Sequence, residues 1–87
     1  MNAKDSFSEM LKNVEEGFIR SHIHHVNISL LARAISNIDS ELQEKIFRNM
    51  SQVGREDIAR LMADQGEHAS DVVESAQMEI ISMAKSL

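Results

Sequence analysis

The sequence predicts an all-α fold, a compact six-helix bundle, on three observations. The 87 residues contain no proline and only three glycines, so the turn chemistry that closes hairpins is nearly absent. β-Branched residues are too scattered to alternate as strands do. Apolar residues instead recur at three- and four-residue spacing, the period of a half-buried helix. With so little Pro and Gly, helix boundaries must be read from capping residues and from phase breaks in the apolar pattern.

Ser6 with Glu9 fits a capping box, in which each side chain satisfies an orphan backbone N–H. It opens a short first helix with Phe7, Met10, Leu11 and Val14 on its apolar side. A second helix runs from about Glu16 to His25, with Ile19, Ile23 and Val26 spaced as a buried stripe. Asn27 caps a third, in which Ile28, Leu31, Ala34, Ile35 and Ile38 converge on one broad face and only Arg33 is charged, the pattern of a central helix. Asp39 and Ser40, with Gln43 completing an S-x-x-Q box, start a fourth helix whose inner face is Leu42, Ile46, Phe47 and Met50.

Ser51 begins a fifth helix with Ile58, Leu61 and Met62 inward. Gly66 stands where a left-handed residue after the helix is wanted. Ser70, with Asp71 and Glu74 at the dipole-favoured start, caps a sixth whose inward stripe is Val73, Ile80, Ala84 and Leu87. Short connections between helices of roughly ten residues give either a bundle or one stacked unit of a helical superhelix. No linker, low-complexity tract or duplicated period divides the chain, so residues 1–87 read as a single domain.

Composition narrows the function. The absence of Cys removes disulfides and thiolate zinc sites. No secretory signal or bilayer-length apolar run is present, and the expected location is the cytoplasm. A net charge of −5 and three aromatics, all Phe, disfavour nucleic acid, which wants a basic face and stacking surfaces. Carboxylate pairs such as Glu15/Glu16 and Glu56/Asp57 are the solvated charges usual on helix surfaces. With no phosphate loop, nucleophile elbow or H-E-x-x-H, there is no catalytic site to name and no cofactor is expected.

Three of the four histidines crowd into SHIHHVN, residues 21–27. At 100° per residue His22 falls on the apolar side between Phe18 and Ile19, His25 at its edge, and His24 outward beside Arg20. The three do not converge. A structural metal needs four ligands, and only His68, from a distant loop, offers a third imidazole. No metal is expected, and His22 reads as a half-buried packing residue with a hydrogen bond.

The run DSELQEKIFRNMSQ, residues 39–52, resembles the C-terminal part of FliG, the rotor protein of the bacterial flagellar motor switch, with EKIFRNMS its most specific piece. LLARAISNIDSEL resembles the preceding helix and turn, and DVVESAQMEIISMAKSL the closing helix, where Val73, Glu74, Gln77 and Ile80 match the pattern. The resemblance implies a six-helix subdomain, armadillo-like and right-handed superhelical, that faces the membrane-embedded stator. It implies torque transfer through charges on one exposed helix, with reorientation of the subdomain reversing rotation. The resemblance puts the family's acidic pair on Glu15 and Glu16 and its later Arg on His24, so an imidazole stands for a permanent guanidinium.

The expected function is therefore a non-enzymatic protein-interaction domain of the flagellar switch type, with Glu15, Glu16, Arg20 and His24 on a charged ridge. Its partner would be the stator's cytoplasmic loop or another switch protein, at the cytoplasmic face of the basal body, and any membrane contact would be indirect. The alternative is a helical assembly module, similar in fold to the N-domain of MgtE-type magnesium channels, that self-associates or docks through an apolar face rich in Met10, Met50, Met62, Met78 and Met83. A third reading is a metal or pH sensor built on His22, His25 and His68.

Overall fold

The six segments whose apolar residues recur at helical spacing all become helices. The computed structural model describes residues 2–86 and contains no strand among them. The helices are α1 (Ala3–Asn13), α2 (Glu16–His22, continued by a 3₁₀ turn Ile23–His25), α3 (Ile28–Ala34), α4 (Ser40–Phe47), α5 (Gln52–Gln65) and α6 (Ser70–Lys85). The short α3 is the axis of the fold, with α5 and α6 packed on it, while α1 lies against α6 and touches α4. It is buried on more sides than one apolar face suggests, since Leu30 and Ala32 are covered along with Leu31, Ala34 and Ile35.

One core joins α1, α3, α4, α5 and α6 through Phe7, Leu31, Ile35, Ile46, Ile58 and Ile80. Ile19 is the one fully buried residue of α2, and Ile23 and Val26 lean on the core from the turn that follows it. Met10 of α1 and the Val14 that follows it, Phe18 and Ile23, and Ile81 and Met83 of α6 border an apolar cleft of about 640 Å³. Of the expected core stripes, Leu87 lies outside the described residues.

Three caps differ from expectation. The first helix starts at Ala3, because Asn2 accepts a hydrogen bond from the Asp5 N–H at 2.8 Å; Ser6 and Glu9 lie inside the helix and form no box. Gln43 does not reach back to the start of α4, whose N-cap Asp39 makes no side-chain bond. Its amide instead donates to the Ile35 carbonyl at 2.7 Å. Ala69, not Ser70, precedes α6, so that helix start has no side-chain cap. Asn27 and Ser51 do cap α3 and α5, accepting from the Ser29, Leu30 and Gly54 N–H groups. Gly66 ends α5 at φ 65° and ψ −146°, a region essentially confined to glycine.

The C-terminal ends of α1 and α3 share a feature that local pattern does not reveal: long side chains from other helices satisfy their carbonyls. The Lys45 ammonium donates to Leu11 O at 2.6 Å and Val14 O at 2.8 Å, closing α1 from α4. Gln77, 0% exposed, donates to Ala34 O at 2.9 Å and to Asn37 Oδ1 at 2.7 Å, while Gln43 takes Ile35 O, so α3 is closed from both α6 and α4. A cation at a helix C-terminus also meets the negative end of the dipole. Gln77 Oε1 has no protein partner. Its orientation is nevertheless fixed, because both atoms facing its amide nitrogen are acceptors.

With a total stability of roughly 4–13 kcal/mol for a chain of this length, single contacts count. Ile58→Ala, at a site with 0% exposure, should cost about 2–5 kcal/mol by opening a cavity. Lys45→Met, which keeps the stem and deletes the cap, should cost about 1–3 kcal/mol. Urea midpoints measure both; a neutral Lys45→Met would show that the cross-helix cap is idle.

A candidate protein-interaction surface on the second helix

The α2 ridge is built where the start of one helix meets the end of another. Glu15 precedes α2 in an extended conformation without a side-chain cap, so the following carboxylate, Glu16, sits in the first turn where the dipole favours it. Arg48 and Asn49 directly follow the last turn of α4, where positive charge is favoured in turn. The two ends come together. Arg48 Nε donates to Glu16 Oε1 at 2.7 Å and Nη2 to Oε2 at 2.9 Å, a two-pronged fork on one carboxylate.

Asn49 locks this pair in place. It is only 6% exposed, and its Nδ2 donates to Glu16 Oε1 at 3.1 Å and to the Lys45 carbonyl at 2.7 Å. Its Oδ1 accepts from Arg20 Nη2 at 3.1 Å. One buried amide therefore ties two charged side chains of α2 to the backbone of α4. Every polar atom of its side chain is used, as burial demands.

The expected ridge residues occupy different positions in this arrangement. Glu15 and His24 are exposed, and Arg20 is exposed while bonded to Asn49. Glu16 is half-buried and paired, its side chain 44% exposed against 50% for Arg48. Hydrogen bonds from Arg48 first, and then from Asn49, hold the Glu16 carboxyl far below the ordinary 4.5, at about 2. The same pair raises Arg48.

The histidines are closer together than helical spacing suggests. His22 is half-buried as expected, with Nδ1 2.9 Å from Phe18 O and its ring 4.3 Å from the Phe18 ring. A carbonyl only accepts, so Nδ1 carries the proton. The 3₁₀ turn then brings the His25 ring to 4.2 Å from that of His24 and 6.4 Å from that of His22 between centroids. His68 meets Gln65 at 3.2 Å. Among the described residues, no group of three or more His, Asp or Glu is arranged to hold a metal ion.

Sequence reasoning missed Lys45, Arg48 and Asn49. Arg48 and Asn49 lie 32 and 33 positions from Glu16, beyond any helical register. The available signal was chemical: cations and an amide clustered at the end of a helix have carbonyls and dipole to satisfy.

Because the folded-state pKa of Glu16 is depressed, its contribution to stability is present above pH 4.5 and lost as pH falls toward about 2. The stability gap between wild type and Glu16→Gln should therefore be constant at neutral pH and close across that acid window. Urea midpoints along a pH series measure it, and a gap unchanged at pH 2 would mean that the ion pair contributes nothing.

No curated protein and no solved structure matches the chain significantly. The family model described as the FliG C-terminal domain matches residues 6–87. Together with the all-helical fold and six helices, that match, spanning nearly the whole chain, places this protein in the FliG C-terminal domain family, the flagellar motor switch class of helical domains.

Proposed function

We propose that residues 1–87 act as one non-enzymatic protein-interaction domain, which meets its partner through the charged ridge of α2. The observation that carries this reading is the Glu16–Arg48–Asn49–Arg20 network. It fixes the outer face of a seven-residue helix that is too short to hold its own shape, and it leaves Glu15, Arg20 and His24 toward water. Such rigidity is what a surface needs if it is to present charges at set positions.

The partner that family membership favours is the stator's cytoplasmic loop, or another switch protein, at the cytoplasmic face of the flagellar basal body. No helix of the described residues is long and apolar enough to cross a membrane, so contact with the stator would be made through its loop. Exposed charge pairs are each worth about 0.2–1 kcal/mol, and the Debye length at physiological salt is about 8 Å. Binding is therefore weak, multivalent and salt-sensitive, which suits a contact made and broken repeatedly.

The apolar cleft between α1, α2 and α6 favours a second reading, self-association of two copies, in which half-buried Met10 and Met83 supply adaptable surface. Mass rising with concentration in light scattering would mark it.

The ridge is tested by Glu15→Lys with His24→Glu, which put a cation in place of the acid at position 15 and an acid at position 24 without touching the Glu16 network. Binding to a peptide of the stator loop should weaken by about two- to tenfold at low salt and hardly at all at high salt. Unchanged binding, together with unchanged motility in the parent organism, would sink the electrostatic reading.

A further inference from the structure

The ridge carries an internal competitor. Glu16 is a strong candidate for receiving a cationic side chain of a partner, since it opens α2, stands beside Glu15 and stays 44% exposed. Yet both of its oxygens already face a guanidinium of the same chain. We propose that Arg48 is an autoinhibitory contact: it fills the Glu16 carboxylate in the free domain, and a partner's Arg or Lys binds there only by displacing it. This rests on the reading of the α2 ridge given above and adds the residue that sets its affinity and charge preference.

The arrangement favours displacement over permanent locking. Arg48 is 50% exposed, so its guanidinium can swing into water without leaving a buried charge behind. Asn49 stays in place when it leaves, because that amide is also anchored to the Lys45 carbonyl and to Arg20. Glu16 would then be held pointing outward by one hydrogen bond, ready for an incoming fork.

The other charged groups around the pair reinforce this. Glu44, on α4, acts on Arg48, and Lys45 acts on Glu16. Lys45 is itself committed to the carbonyls that end α1. Among the described residues, the cation seated on the carboxylate is thus the one that can move.

One consequence concerns charge balance. With Arg48 in place, Glu16 offers little net field, so the free ridge presents Glu15 as its acid and Arg20, held by a neutral amide, as its uncompensated cation. When Arg48 moves away, the start of α2 gains a second acid. Arg48 therefore decides whether the ridge reads as mixed or as acidic at that end.

The test uses the whole chain and a blocked peptide, acetyl-Gly-Arg-Gly-Arg-Gly-amide, followed by NMR at low salt through the α2 backbone amides. Arg48→Met keeps the stem and removes the competitor, and should bind the peptide roughly two- to fivefold more tightly than wild type. Arg55→Ala, the same charge change on exposed α5, should show no such gain, and Glu16→Gln/Arg48→Met should lose it. In wild type, saturating peptide should shift the Arg48 Nε signal. Equal gains in the Arg48 and Arg55 variants, a gain that survives loss of Glu16, or an unmoved Arg48 Nε would each overturn the proposal. The peptide is not the biological partner, so these outcomes are independent of whether the stator loop binds the ridge.

Discussion

The constraint on which the rest depends is the satisfaction of carbonyls at helix ends. Helix C-termini leave backbone acceptors unpaired, and Gly or Pro stop signals are the usual local remedy. This chain has no proline, and one of its three glycines, Gly66, ends α5. Two other ends are closed from across the fold, α1 by Lys45 and α3 by Gln43 and Gln77, while the end of α4 is met locally by Asn49, which binds the carbonyl of Lys45. Each of the cross-fold bonds does two things. It ends a helix, and it fixes that helix relative to another. Short elements such as α3 and α2, each seven residues, lie below the length at which helices stand alone in water, so they keep their shape through such ties and through burial of Leu31, Ile35 and Ile19.

The proposed function rests on the same device. The amide that completes the end of α4 is also the one that holds Arg20 and Glu16. The charged face of α2 is in this sense an extension of the capping system, with polar groups that finish a helix on one side and present charge on the other. A buried amide with all its bonds made is costly to disturb, whereas an exposed ion pair beside it is cheap to rearrange. Asn49 and Arg48 are neighbours, one a buried mount and the other an exposed charge, the combination that the proposed contact requires.

Much of the fold was legible in the sequence, because periodicity reports burial directly. Ile35, Ile46, Ile58 and Val73 are inside where their spacing put them, and Asn27 and Ser51 cap where short polar side chains precede apolar runs. The errors at Ser6, Gln43 and Ser70 share a cause. A capping box is a local rule, and each residue had an alternative that local sequence does not show: a helix already begun at Ala3, a carbonyl of α3 within reach, and a chain that turns at Ala69. The site was half legible for the same reason. Helical phase and family resemblance put Glu15, Arg20 and His24 on the outer face, but the pairing of Glu16 with Arg48 exists only once α4 has been folded back onto α2.

The central claim, that ties from other helices hold the α2 ridge rigid, is tested most directly by native-state amide hydrogen exchange. Protection at Ile19 and Arg20 should approach that of Ile35 in the core, and the α2 amides should open together with those of α4. Exchange of the α2 amides near the unprotected rate, while the core remains protected, would contradict the account by showing that the ridge frays independently of the network said to hold it.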